Sequence, residues 1–307
     1  MSDDLSKRPE LLIVSDTAVY VDDQGKCLAY EPVVREIENF YQLFNTITWI
    51  AFKYPLNDSV RNMREVSKVD IKYVLLPAVG GIGIHNKLRI IFEYLRLLFL
   101  IPRYVRKADV IHTRGPSHPA LVTIFYSLFF FRNKIFWHKY AGNWIRKDDP
   151  MSYKLNKNLL KKARRTKVTI NGKWPDQPEH ILSFENPCLT NQDRNDGVAG
   201  LKAKSFEKEL DFVFVGQMVE AKGVRRIIEA FAKLEKNPRI GLLHFVGDGL
   251  ARAEYENLAM SFDLNCRFYG FLPKEDVNRI LTQAHVILLP SDSEGFPKVI
   301  AEGANYG

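Results

Sequence analysis

The feature that most constrains this chain is a repeated phrase: a short apolar run that ends in a turn, then a helix-forming stretch. It occurs as "DFVFVGQM" (211–218) before "AKGVRRIIEAFAKLEKN", and as "GLLHFVGDG" (241–249) before a helical stretch from Leu250 to Phe262. It recurs as "CRFYGFL" (266–272) before "KEDVNRILTQA", and closes with "HVILLPSDSEG" (285–295). Continuous apolar runs alternating with helices fit parallel strands covered on both faces, which makes this an α/β chain. The front half alternates in the same way. "ELLIVSD" (10–16) reads as a strand, "EPVVREIENFYQLF" as a helix, and "TITWIAF" and "IKYVLLP" (71–77) as strands, with "VGGIG" after them as a flexible turn. "KLRIIFEYLRLLFLI" (87–101) reads as a helix whose Arg89, Glu93 and Arg96 share one face. "ADVIHTRG" (108–115) and "KIFWHKYAG" (134–142) are further strands, "KKARRTKVTING" a basic helix end and a strand, and "ILSFENPC" the last strand of this half.

A chain of 307 residues is long for one core, so two domains are expected. The polar stretch "NQDRNDGVAGLKAKS" (191–205) reads as the linker between a first domain, 1–200, and a second, 201–307. Two Rossmann-like parallel sheets then place ligands where strand ends of both halves meet in a cleft. Charge divides with the domains: residues 1–205 carry a net +11 and residues 206–307 a net −3. The basic half is expected to meet something anionic, nucleic acid or a membrane surface. Three scattered cysteines (Cys27, Cys188, Cys266) form no CxxC pair, which argues against a disulfide framework. The polar start lacks a signal-peptide core, and the longest apolar run, 120–131, is too short to cross a bilayer as a helix.

The closing stretch "SDSEGFPKVIAEGANYG" (291–307) carries the densest chemistry. Ser291 to Gly295 follow an apolar strand, where open α/β sheets bind ligands. Pro297 suits the first turn of a helix, and the amides after it form a phosphate site. Glu294 and Glu302 are then either acceptors for sugar hydroxyls or solvated carboxylates. "FVGQMVEAKG" (214–223) repeats the logic: Gly216 lets the backbone approach a ligand, and Lys222 at a helix start is explained by an anion or is a surface lysine. The turn "FVGDG" (245–249), with Gly247, is a weak GxG, not a dinucleotide fingerprint.

In order, "FVGQMVEAKGVRRIIEAFA", "LLHFVGDGLARAEYENLA", "FYGFLPKEDVNRILTQAHVILLPS" and "EGFPKVIAEG" resemble the donor-binding domain of family 4 retaining glycosyltransferases, which have the GT-B fold. The resemblance covers about 100 residues, and Glu294 and Glu302 match the family's E-x7-E signature. It implies that Glu294 contacts the donor sugar's hydroxyls, Glu302 the nucleotide ribose, and Lys222 the leaving diphosphate. Lys222 and Glu294 are thereby the catalytic pair. Gly216, Gln217, Gly247, Gly270, Gly295, Phe296, Pro297 and Lys298 complete the donor site. Gln217 stands where the family usually has arginine, with Arg225 or Arg226 as substitutes, and Pro297 removes one phosphate-binding amide. The first half resembles the acceptor domain more loosely. "VSDTAVYVDDQGK" replaces the family's glycine-rich turn, and Arg114 stands where the family often has histidine, flanked by a core His112 and a loop His118. Lys139, Tyr140, Gly142 and Asn143 border the active site or pack at a strand end.

The resemblance implies transfer of a sugar from a nucleoside diphosphate sugar to an acceptor hydroxyl with retention, in surface polysaccharide or glycolipid biosynthesis. The expected partners are the nucleotide sugar, a saccharide or lipid-linked acceptor and an anionic membrane surface met through 87–101 and 154–167. No metal, no cofactor and no nucleic acid are expected, and the place is cytoplasmic, at the inner face of the plasma membrane. Family members continue past Glu302, so the second domain is expected to be incomplete. A catalytically silent nucleotide-sugar-binding remnant is the alternative.

Overall fold

The computed structural model describes residues 8–56, 63–67, 70–78, 84–184, 188–234 and 237–307. The turn expected at 79–83 lies outside them. The chain forms two compact units, Met1–Glu185 and Asn186–Gly307.

The first unit is built on a nine-stranded sheet among the described residues. Its parallel core runs β5 (Ile71–Pro77), β3 (Ile47–Tyr54), β1 (Leu11–Val21), β6 (Val110–Gly115), β7 (Ile135–Tyr140), β8 (Lys167–Asn171), β9 (Ile181–Phe184). Successive residues of β1 feed two different cores. Leu12 and Val14 pack under α2 (Ile84–Val105) and α3 (His118–Phe129), while Leu11 and Ile13 pack against α1 (Glu31–Phe40). That double burial is why β1 is apolar without alternation. The buried Ser15 hydroxyl within it accepts a 2.9 Å bond from Trp49 Nε1.

β1 does not stop at Asp16 as its apolar run suggests. A register shift between Val14 and Ala18 re-aims it, and "TAVYV" continues to an antiparallel pairing with β2 (Cys27–Tyr30), which in turn pairs β4 (Met63–Glu65). The turn between them is closed by Asp22, whose carboxylate accepts the Gln24 and Lys26 amides, with Gly25 at φ +80°. The segment standing where a glycine-rich turn was sought is therefore a hairpin.

Two helices differ from their sequence reading. In α2, Glu93 lies on the buried stripe with Leu97, Ile101 and Val105, spaced four apart, and from there still pairs with the exposed Arg96 at 3.9 Å. α4 (Met151–Lys162) buries Asn156, Lys157 and Leu160. Lys157 Nζ donates to the carbonyls of Asn143, Trp144 and Arg146 and pairs with Asp149 at 2.5 Å. One face of that basic helix is thus core, fixed by a buried cation with four oxygen partners.

The second unit is a four-stranded parallel sheet ordered β12 (Cys266–Gly270), β11 (Ile240–Val246), β10 (Leu210–Val215), β13 (Val286–Ile287). Phe214 and Phe245 face α6 (Val224–Lys233) and α7 (Arg252–Ser261), and Val213 and Val246 face α8 (Lys274–Gln283) with Tyr306. The expected linker is instead α5 (Asn191–Ala203), part of this unit. Thr190 and Asp193 form a reciprocal capping box, and Asp193 also pairs with Lys274 at 2.6 Å. Gly197 and Gly200 are buried because α9 (Lys298–Asn305) and α8 come too close for a side chain. A Cβ on Gly197 meets the Asn305 carbonyl at 2.2 Å. Low hydrophobicity signals here a helix packed through glycines, not a linker.

Candidate functional site

Three of the sequence-predicted glycines meet in a row where β10, β11 and β12 end. Gly216 donates its amide to Val246 O at 3.0 Å, and Gly247 donates to Gly270 O at 2.8 Å. Gly247 has φ +130°, and a Cβ on it falls 1.9 Å from Gly216 O, so no side chain fits. The strand ends are laced backbone to backbone and leave an uncluttered rim, with Gln217 exposed beside it.

Beyond the rim, two loops are clasped together. Glu220–Lys222 form a short 3₁₀ turn, so Lys222 precedes α6 by two residues rather than opening it. The Asp292 amide donates to Ala221 O at 2.9 Å, Arg226 Nη1 pairs with Asp292 at 2.6 Å, and Lys222 Nζ pairs with Glu294 Oε1 at 2.5 Å. Gly223, in the left-handed region at φ +74°, lets Pro290 O pass where a Cβ would stand 2.4 Å away. Lys222 and Glu294 are each about one-quarter exposed, so the pair is open to solvent. Arg225 turns away: it bonds Glu254, lies 3.7 Å from Glu220 and covers the Tyr255 ring. Of the two arginines considered in place of one at position 217, Arg226 faces this loop and Arg225 serves α7.

Gly295, Phe296 and Pro297 run half-buried into α9. Pro297 is the N-cap rather than a first-turn residue, and Lys298 is the first helical residue. Because the N-cap contributes its carbonyl and not its amide to the helix, the proline leaves the first free amides to Lys298 and the residues after it. Glu302 lies in the second turn. Burial and then the Glu302 charge push the Cys188 thiol up.

In the first unit, the candidates on the strand ends turn inward. Arg114 and Lys139 are register partners across β6 and β7, and one buried carboxylate serves both: Glu36 of α1, 2.9 Å from Arg114 Nη1 and 2.8 Å from Lys139 Nζ. Burial pushes the Glu36 carboxyl up, but the Arg114 and Lys139 cations outweigh it and hold it at about 2. Lys139 is 3% exposed and stands over the Phe184 ring at 4.0 Å, so it is placed to hold the strand ends rather than to face a ligand. Tyr140 is fully buried, edge-on to Trp144, with Gly142 packed on its ring. Asn143 closes a turn by accepting the Ile145 and Arg146 amides. His112 is core, stacked on Trp137 with ring centroids 3.9 Å apart. His118 alone of this group lines an open pocket, its Nδ1 hydrogen-bonded to the Tyr94 hydroxyl.

Sequence reading missed Glu36, Asp292 and Gly223. Glu36 had a signal: two cations at adjacent strand ends require a counter-charge, and the α-helix between β2 and β3 carries three glutamates. Asp292 and Gly223 carried none, because their roles exist only once two loops meet.

Residues 201–307 match the family model described as glycosyl transferases group 1. The O-antigen biosynthesis glycosyltransferase WclY of Escherichia coli is 24% identical over 230 residues, 67% of this chain and 61% of that protein. The chain spans between 21% and 61% of the length of the curated relatives it matches. Among solved structures, sucrose-phosphate synthase from Thermosynechococcus elongatus superposes with a TM-score of 0.62 at 18% identity, covering 98% of this chain and 80% of that one. HepE of Anabaena, solved in complex with UDP, gives 0.60 at 12% identity, covering 97% and 78%. The chain therefore has the GT-B fold class, and its residues 201–307 are similar to glycosyl transferases group 1.

Proposed function

We propose that this chain is a family 4 retaining glycosyltransferase that moves a hexosyl group from a nucleoside diphosphate sugar to an acceptor hydroxyl in surface polysaccharide or glycolipid biosynthesis. The observation that carries the reading is the Lys222–Glu294 pair, 2.5 Å apart, open to solvent beside a rim of backbone glycines. In the resting protein Glu294 holds the lysine in place. When the donor enters, the diphosphate takes over Lys222, and Glu294 turns to the sugar hydroxyls while Glu302 receives the ribose. Breaking the bond from C1 to the diphosphate oxygen leaves negative charge on the phosphate, and stabilising that charge is the main catalytic task. Lys222, Arg226 and the first amides of α9 supply it without a metal. The names of the WclY relative and the UDP-bound HepE structure support the donor class and the pathway.

The reading is tested by thermal shift of the full chain with UDP, GDP, ADP and their sugars. One nucleotide family is expected to raise Tm, and Lys222→Ala to abolish the shift. No shift with any nucleotide overturns the donor site. A shift without transfer to any acceptor extract identifies a silent nucleotide-sugar binder instead.

A membrane partner is supported at the first of the two expected stretches, 87–101, rather than at 154–167. Phe92, Leu95 and Phe99 stand exposed along α2 with Arg96 and Arg103 among them, and α3 adds exposed Phe125 and Phe129. The Tyr126 hydroxyl ties the two helices through Leu98 O at 2.6 Å. No described helix is long and apolar enough to cross a membrane. Aromatic side chains fringed by arginine suit the anionic interface of an inner leaflet, where lipid-linked acceptors reside. Flotation with anionic vesicles, lost in Phe99→Ser and at high salt, is the expected result.

A further inference from the structure

A pocket of about 100 Å³ opens in the first unit beside the register shift of β1 and the C-terminal end of β3, closed behind by α2 and α3. Asp16, solvent-exposed, stands at its mouth, and Glu93 forms its buried wall at 7% exposure. Phe52, Tyr54 and Tyr94 supply aromatic sides, and no lysine or arginine lines it among the described residues.

Glu93 is the anomaly. It continues the core stripe of Leu97, Ile101 and Val105, a position that packing alone fills with an apolar side chain. Its Oε1 is buried without a hydrogen-bond partner, and among the described side chains its cation is Arg96, 3.9 Å from Oε2 and 46% exposed. Burial pushes this carboxyl up from the usual range, and Arg96 pulls it back only in part. At the mouth, Arg114 is already committed to Glu36. A buried carboxylate oxygen left without a hydrogen-bond partner is one that a ligand can complete.

The lining decides the ligand's charge. Two carboxyls exclude an anion. A metal ion is disfavoured because no three His, Cys, Asp or Glu side chains are grouped to hold one among the described residues. A neutral hydroxyl satisfies one lone pair and leaves the charge, whereas an ammonium satisfies both and is attracted to aromatic faces. We propose that this pocket binds a primary ammonium carried on a small ring, with Glu93 as counter-ion, Asp16 as a second carboxylate at the entrance and Tyr54 and Tyr94 beside it. Burial also keeps His118 towards its neutral form, so the imidazole adds no opposing charge. Naming this ligand as the acceptor, an amino sugar with a free amine, rests on the transferase reading. The amine site itself does not.

Titration calorimetry of the full chain with glucosamine, glucose and N-acetylglucosamine at neutral pH tests it, with UDP titrated into the same samples. Glucosamine is expected to bind at least tenfold more tightly than either neutral sugar, and Glu93→Gln to remove that preference. Asp16→Asn, at the exposed mouth, is expected to weaken glucosamine at least threefold and serves if the buried variant does not fold. Equal binding of the three sugars, no binding of any, or a preference untouched by both variants overturns the proposal. UDP binding with no amine binding overturns the pocket assignment and leaves the transferase reading standing. Amine binding with no UDP binding does the reverse.

Discussion

Lys222 and Glu36 are both held by opposite charges, yet the two pairs do different work. The Lys222–Glu294 pair is open to solvent, so screening leaves it worth about 0–1 kcal/mol to stability. Lys222→Ala is therefore expected to lower Tm by no more than about 2–4 °C while reducing transfer by roughly 10²–10³-fold, as loss of a charge-stabilising donor does. A comparable loss of both would mark Lys222 as structural. Glu36 is the opposite case. Glu36→Gln leaves two largely buried cations unpaired, at a cost of about 3–5 kcal/mol by urea unfolding at pH 7. Its folded pKa, about 2, lies below the ordinary 4.5, so its contribution is complete above about pH 4.5 and is lost as pH falls towards 2. The stability gap between wild type and Glu36→Gln should shrink across that window, and a pH-independent gap would refute the assignment.

At the scale of elements, the proposed donor site depends on how α9 is seated, and α5 does the seating. Asn305 Nδ2 donates to Asp193 O at 2.6 Å, and Lys204 Nζ donates to Gly307 O at 2.8 Å. Gly197→Ala sets two effects against each other. Helix propensity gains about 1 kcal/mol, but the new Cβ overlaps a backbone oxygen that cannot rotate away, and overpacking of that kind costs about 1–3 kcal/mol. The clash is expected to win, with a lower urea midpoint and a weaker UDP affinity. A raised midpoint would show that α5 and α9 slide freely. The same elements show why part of the site was hidden. Gly216, Gly247 and Gly270 were legible because each ends an apolar run. The clasp through Asp292 and Gly223 was not, since it joins residues about 70 positions apart.

The whole molecule consists of two units with separate cores, and each sheet buries both of its faces within its own unit. Calorimetry is expected to show two transitions, and UDP at 100 times its Kd to stabilise only the one from residues 186–307, by about 2.7 kcal/mol. Equal shifts of both would mean that nucleotide binding extends across the chain.

The order of strands and helices and the row of glycines at the second unit's strand ends were written in local sequence, because apolar runs and turn glycines act over a few residues. So was the placement of Lys222 and Glu294 near strand ends. Tertiary structure decided the rest. It turned a polar linker into a packed helix through two glycines, drew Lys139 and Tyr140 from a presumed site into the core, and set Glu93 facing a pocket. These are matters of burial and counter-charge, which depend on partners distant in the chain, and no window of local sequence contains them.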